Sequence, residues 1–86
     1  MIYQMFCVRD RKGEFWSPKI QQNEASATRE FGQMINTPGT VMNYAPYDFE
    51  LYLVGEFDSD VGKLIDYDKK QFIVSGESLV GARDEN

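Results

Sequence analysis

The 86-residue sequence has no histidine, a single cysteine and no surplus of basic residues. Without histidine it lacks the usual general base at neutral pH and the commonest metal ligand. One thiol, Cys7, rules out an internal disulfide and fits a reducing compartment. Cys7 sits inside an apolar strand pattern with no histidine to activate it, so it reads as buried and inert. Gly13, Gly32, Gly39 and Gly55 are dispersed, so there is no phosphate-cradling glycine loop. The apolar opening stops at Arg9-Asp10-Arg11-Lys12 and lacks the order of a secretory leader, so neither a leader nor a membrane segment is expected.

The formal net charge of −5 is poor for general binding to a phosphate backbone, which relies on clustered lysine and arginine. The charge is uneven. Residues 1–36 carry five basic side chains (Arg9, Arg11, Lys12, Lys19, Arg29) against four acidic ones, and residues 37–86 carry four against ten. Any contact with nucleic acid is therefore expected from the first half.

What the chain does have is 42% hydrophobic and 14% aromatic residues, enough to fold. A single domain this short buries roughly 60–65% of the surface its unfolded form exposes, a modest core that association would help. The strongest strand signal is Asp48 to Phe57, closed by Asp58-Ser59-Asp60-Val61-Gly62. Alternation places Phe49, Leu51, Leu53 and Phe57 on one face, with Gly55 interrupting the row, and Glu50, Tyr52, Val54 and Glu56 on the other. Ile2 to Val8 is apolar on both faces, Ile2, Phe6 and Val8 with Gln4 on one and Tyr3, Met5 and Cys7 on the other. Its second face is covered either by more of this chain or by another subunit.

A polar turn over Arg9 to Gly13 leads to a short return strand, Glu14-Phe15-Trp16, that Pro18 ends. Asn23 caps a helix over about Glu24 to Asn36, with Ala27, Phe31, Met34 and Ile35 on one stripe. Gly32 weakens that helix and implies close approach to a sheet. Thr40 to Pro46 reads as a connecting loop. Lys63 to Tyr67 is a hairpin partner of the central strand, and Gln71 to Val74 a further short strand after an Asp68-Lys69-Lys70 turn. The expectation is an α+β fold of order β-β-α-β-β, a small mainly antiparallel sheet with one helix on a face. Residues 1–74 form a single domain and residues 75–86 a flexible tail.

Asp58-Ser59-Asp60 begins like a calcium loop, but Lys63 and Lys69 stand at its sixth and twelfth positions, and a hairpin turn explains the same residues. Glu50 and Glu56 share a face but lie roughly 20 Å apart, too far to act as an acid/base pair. No catalytic set, metal site or cofactor site emerges, so an enzyme is not expected. Arg9, Arg11, Lys12, Trp16 and Lys19, with Arg29 near them once the helix packs, form the one basic stretch that contains aromatic residues. Its cations could neutralise phosphates while Trp16, Phe15 or Tyr3 stacks on bases. A solvated hairpin turn with Phe15 and Trp16 in the core or in an oligomer contact explains the same stretch without a ligand. Five tyrosines, six phenylalanines and Trp16 exceed what so small a core needs. Self-association through the second face, with Tyr3, Met5 and Tyr52 in the contact, accounts for the surplus.

Met1-Ile2-Tyr3-Gln4-Met5-Phe6 with Val8-Arg9-Asp10, the helix carrying Ala27, Arg29 and Phe31, Tyr47-Asp48 through Leu51-Tyr52, and Gly55-Glu56-Phe57-Asp58 with Gly62 make up a recognisable pattern. It resembles the small nonstructural protein of gokushovirus-like bacteriophages, members of the Microviridae with circular single-stranded DNA genomes. The similarity runs from about Met1 to Leu64, and Gly-Glu-Phe-Asp is its most specific part. It implies a noncatalytic accessory protein of the host bacterial cytoplasm, absent from the mature capsid and acting where replication turns from duplex copying to single-strand synthesis and packaging. The expected partners are single-stranded or replicating phage DNA and further copies of the chain. The alternative is an adaptor that docks on the replication initiator or the procapsid without touching DNA.

Overall fold

In the computed structural model, which describes residues 1–81, the central strand lies where the strongest pattern put it. Ile2–Asp10 (β1), Lys19–Gln21 (β2), Phe49–Asp58 (β3) and Lys63–Ser75 (β4) form one sheet of order β2-β1-β3-β4, with every neighbouring pair antiparallel. The helix Glu24–Ile35 (α1) packs across one face. This is the α+β class expected.

The local causes are clear at α1. Asn23 is extended and its side-chain oxygen accepts the Ser26 N–H at 2.8 Å, satisfying one of the donors a helix start leaves free. Spacing by four residues turns Ala27, Phe31 and Ile35 onto the sheet, where they meet Phe6 and Val8 of β1 and Phe49, Leu51 and Leu53 of β3. Burial of a side chain such as Phe31 or Ile35 contributes about 1.5–3 kcal/mol each. The segment between α1 and β3 is not only a loop. Thr40 accepts the Asn43 N–H and starts a four-residue helix, Val41–Tyr44 (α2), which drives Met42 into the core. Four residues are too few to show a helical period.

Of three further departures, the first two share one cause, extra residues in the strands. Opposite β1, the pairing steps from Met5–Gly55 to Phe6–Leu53, so Val54 is a bulge and the alternation of β3 reverses beyond it. Phe57, expected with Phe49 and Leu51, instead packs with Met5, Cys7 and Val54 on the other face. Glu50 and Glu56 are likewise on opposite faces, Glu56 accepting the Tyr67 hydroxyl at 2.6 Å on the helix side. Only glycine fits at 55, because a Cβ there would lie 2.2 Å from the Ile65 carbonyl oxygen.

The second departure is that no turn separates two strands at Asp68-Lys69-Lys70. β4 is continuous over 13 residues, and its pairing jumps from Asp66 (opposite Gly55) to Gln71 (opposite Leu53), leaving Tyr67 to Lys70 bulged out. The Lys70 ammonium clamps that bulge, donating to the Asp66 carboxylate and to the Tyr67 carbonyl at 2.6 Å. The third concerns the return strand. Phe15 makes one bridge to Arg9 and Trp16 N–H reaches the Val8 carbonyl, but the paired strand, β2, lies beyond Pro18. Proline has no N–H to donate, so it interrupts this edge without ending it.

Of the expected tail, Ser75 closes β4, Gly76 N–H donates to the Phe49 carbonyl, and Leu79 packs on the core. Leu79, not a sheet strand, is what approaches Gly32, at 3.8 Å from where a Cβ would stand. Residues 82–86 lie outside the described residues. With α1, α2 and Leu79 all on one face, the other face of the sheet has no second layer among the described residues.

Candidate nucleic-acid interface

The open face is built from the residues that alternate outward from the core. At its centre Met5, Cys7 and Val54 are already buried, sealed by Tyr52 and Phe57. Burial pushes the Cys7 thiol up from its ordinary value, the opposing pull of Lys70 being smaller, so the thiol is protonated at neutral pH. Around this centre apolar side chains face solvent: Ile20, Leu64, Phe15 (40% exposed) and Phe72 (51%).

Register brings three rings into a row across the sheet. Tyr52 faces Phe72 of β4 on one side, and Phe15 reaches it from the segment bridged to Arg9 on the other. The Phe15 and Tyr52 centroids are 5.5 Å apart with planes at 76°, and Tyr52 and Phe72 are 5.8 Å apart at 78°, both edge-to-face. The Tyr52 hydroxyl donates to Glu50 at 3.1 Å, which fixes the middle ring. Arg9 places its guanidinium carbon 5.4 Å from the Phe15 centroid, within cation–π range.

The expected DNA-binding residues do not gather in one patch. Arg9 is on the open face. Arg11 and Lys12 lie at the end of β1, where Arg11 donates to the Tyr47 carbonyl at 3.3 Å and sits 4.0 Å from Glu50, and Lys12 is 3.6 Å from Asp48. Lys19 is on the helix side, bonded to Glu30 of α1 at 3.1 Å, and Glu30 also accepts from Gln21. Trp16 is on that side too, edge-to-face with Phe49 at 5.4 Å. Arg29 is exposed on α1. Exposed ion pairs are worth about 0–1 kcal/mol, but each partner carboxylate offsets the charge a phosphate would feel. Among the described residues Arg9 has no carboxylate within 4.0 Å, although Glu50 stands opposite it in the register of β1 and β3.

The expected association residues Tyr3, Met5 and Tyr52 do share the open face, Tyr3 and Tyr52 half-buried and Met5 buried within the single chain. At the far end, Asp58 accepts the Asp60 N–H and Asp60 pairs with the amino terminus, so these carboxylates shape a turn. Phe72 is the residue sequence reading missed. It was placed in a strand, but the bulge before it hides which face it takes.

Fold and surface thus define a small two-layer α+β domain with one uncovered, aromatic sheet face. The sequence model of the Phage ORF5 protein family matches residues 3–79, nearly the whole chain, and the protein belongs to that phage family. No curated protein and no solved structure matches it significantly. No helix among the described residues is long and apolar enough to cross a membrane.

Proposed function

We propose that this is a noncatalytic phage accessory protein that binds single-stranded phage DNA, as the likeness to gokushovirus nonstructural proteins suggests, and helps turn replication toward single-strand synthesis and packaging. The observation that carries the reading is the open sheet face, where Arg9 lies over Phe15 at the end of a row of three aromatic rings. Self-association belongs to the same proposal, as the state of the chain without DNA. Contact through Tyr3 and Tyr52 would use the face that DNA needs, so dimer and DNA complex are competing states. Binding of the full chain to labelled single- and double-stranded oligonucleotides across a salt series, with solution mass measured with and without DNA, tests the reading. Preference for single strands supports it, and no binding at low salt refutes it. The net charge of −5 favours a second reading, an adaptor for the replication initiator or procapsid, which co-purification with one of those phage proteins and no DNA binding would select.

A further inference from the structure

We infer that the open face holds single-stranded DNA by stacking unpaired bases on Phe15 and Phe72, with Arg9 as its principal phosphate contact, and that Arg11, Lys12 and Lys19 contribute little. This rests on the single-strand reading above and specifies how that strand is held.

The rings supply the first argument. Phe15 and Phe72 flank Tyr52, and both keep substantial exposure although an apolar centre lies beside them. An edge-to-face contact occupies only a ring's edge or one of its faces; Arg9 also lies over the Phe15 ring, and the exposed remainder of Phe15 and Phe72 is the surface offered to a base. Sheets that bind single strands use exposed aromatic residues in this manner, and an arginine plane stacks on bases as a ring does. Bases in a duplex are already stacked on one another, so rings on a sheet surface select the unpaired form.

Charge supplies the second. Arg11, Lys12 and Lys19 each have a carboxylate within 4.0 Å, at Glu50, Asp48 and Glu30, so a phosphate must compete for them. Arg9 instead stands beside the rings, over Phe15, with Glu50 across from it in the register but no carboxylate within 4.0 Å among the described residues. An acidic protein with one such cation beside a row of rings fits a strand held by stacking, with a weak dependence on salt. About one neutralised phosphate gives a slope of about −0.7 for log affinity against log salt.

The test uses the full chain and fluorescent oligo(dT). Phe15→Leu and Phe72→Leu keep an apolar side chain but remove the π face, and thermal melts confirm that each folds. Each is expected to weaken binding about tenfold. Arg9→Gln should weaken binding and flatten the salt slope, and Arg11→Gln with Lys12→Gln should change affinity less than about twofold. Oligonucleotides carrying 5-iododeoxyuridine should photocrosslink at Phe15 or Phe72. Wild-type binding that is undiminished in both phenylalanine variants, or governed by Arg11 and Lys12, overturns the inference and leaves single-strand binding standing. No binding by the wild-type chain refutes the single-strand reading and this inference together, and the face then belongs to a protein partner.

Discussion

Gly55→Ala and Gly32→Ala add the same methyl group and should move stability in opposite directions. At Gly55 the new Cβ would stand 2.2 Å from the Ile65 carbonyl oxygen and 2.9 Å from Met5 Cε. The methionine end can swing aside, but the oxygen is backbone of the paired strand, so β3 and β4 must part beside the Val54 bulge. Overpacking of this kind costs about 1–3 kcal/mol. In a domain this size each kcal/mol moves the melting temperature by about 4–8 °C, so a loss of about 2 kcal/mol lowers it by about 8–16 °C. At Gly32 the added Cβ meets only Leu79 Cδ1, at an ordinary 3.8 Å, inside α1. Alanine there gains about 1 kcal/mol of helix propensity and raises the melting temperature by about 4–8 °C. Circular dichroism melts of both variants beside the wild type measure this. A Gly55→Ala protein that melts with the wild type would show that the strands separate at no cost. The bulge would then not be what requires glycine.

Asn23→Ala removes the acceptor for Ser26 N–H and should lower stability by about 1 kcal/mol in urea denaturation, with Asn23→Asp close to wild type. Alkaline pH should destabilise the fold. The Cys7 thiol is held above its ordinary 9.0 by burial, and the Tyr67 phenol above its ordinary 10.0, first by its hydrogen bond to Glu56. Both folded-state groups keep their protons more tightly than the unfolded chain does. Their stabilisation is complete below the ordinary values and is lost as pH rises through the raised ones, so the urea midpoint should fall between about pH 8 and about pH 10.5. A midpoint that stays level or rises over that range contradicts the assignment. Native Cys7 should also resist iodoacetamide at about pH 8 and react once urea exposes it, as read by mass spectrometry.

The parts legible in the sequence are those whose evidence is local. Asn23 ahead of Ala27, Phe31 and Ile35 states both where the helix starts and which side it buries, because a cap and a 3.6-residue period need only neighbouring residues. The two faces of β1 were readable for the same reason, since it contains no extra residue. Faces failed wherever a strand gained one. Val54, and the stretch from Tyr67 to Lys70, are bulged only relative to a partner strand distant in sequence, and no pattern within β3 or β4 marks them. Gly55 was the nearest signal, a glycine inside a strong strand, which often marks a bulge or a close backbone approach.

The candidate site depends on those same bulges, which is why the basic turn was more visible in the sequence than the aromatic row. Arg9, Arg11 and Lys12 are neighbours in the chain, yet a strand directs successive side chains to opposite faces, and the turn that follows sends Arg11 and Lys12 toward Tyr47 and Asp48. Phe15, Tyr52 and Phe72 are scattered along the chain and meet only after β4 pairs with β3 beyond its bulge and Phe15 bridges Arg9. Sequence proximity therefore grouped charges that the fold disperses, and it could not group rings that the fold collects. The same geometry is what the proposed nucleic-acid binding by an acidic chain draws on: a strand held through its bases needs aromatic surface in register more than it needs a basic stripe.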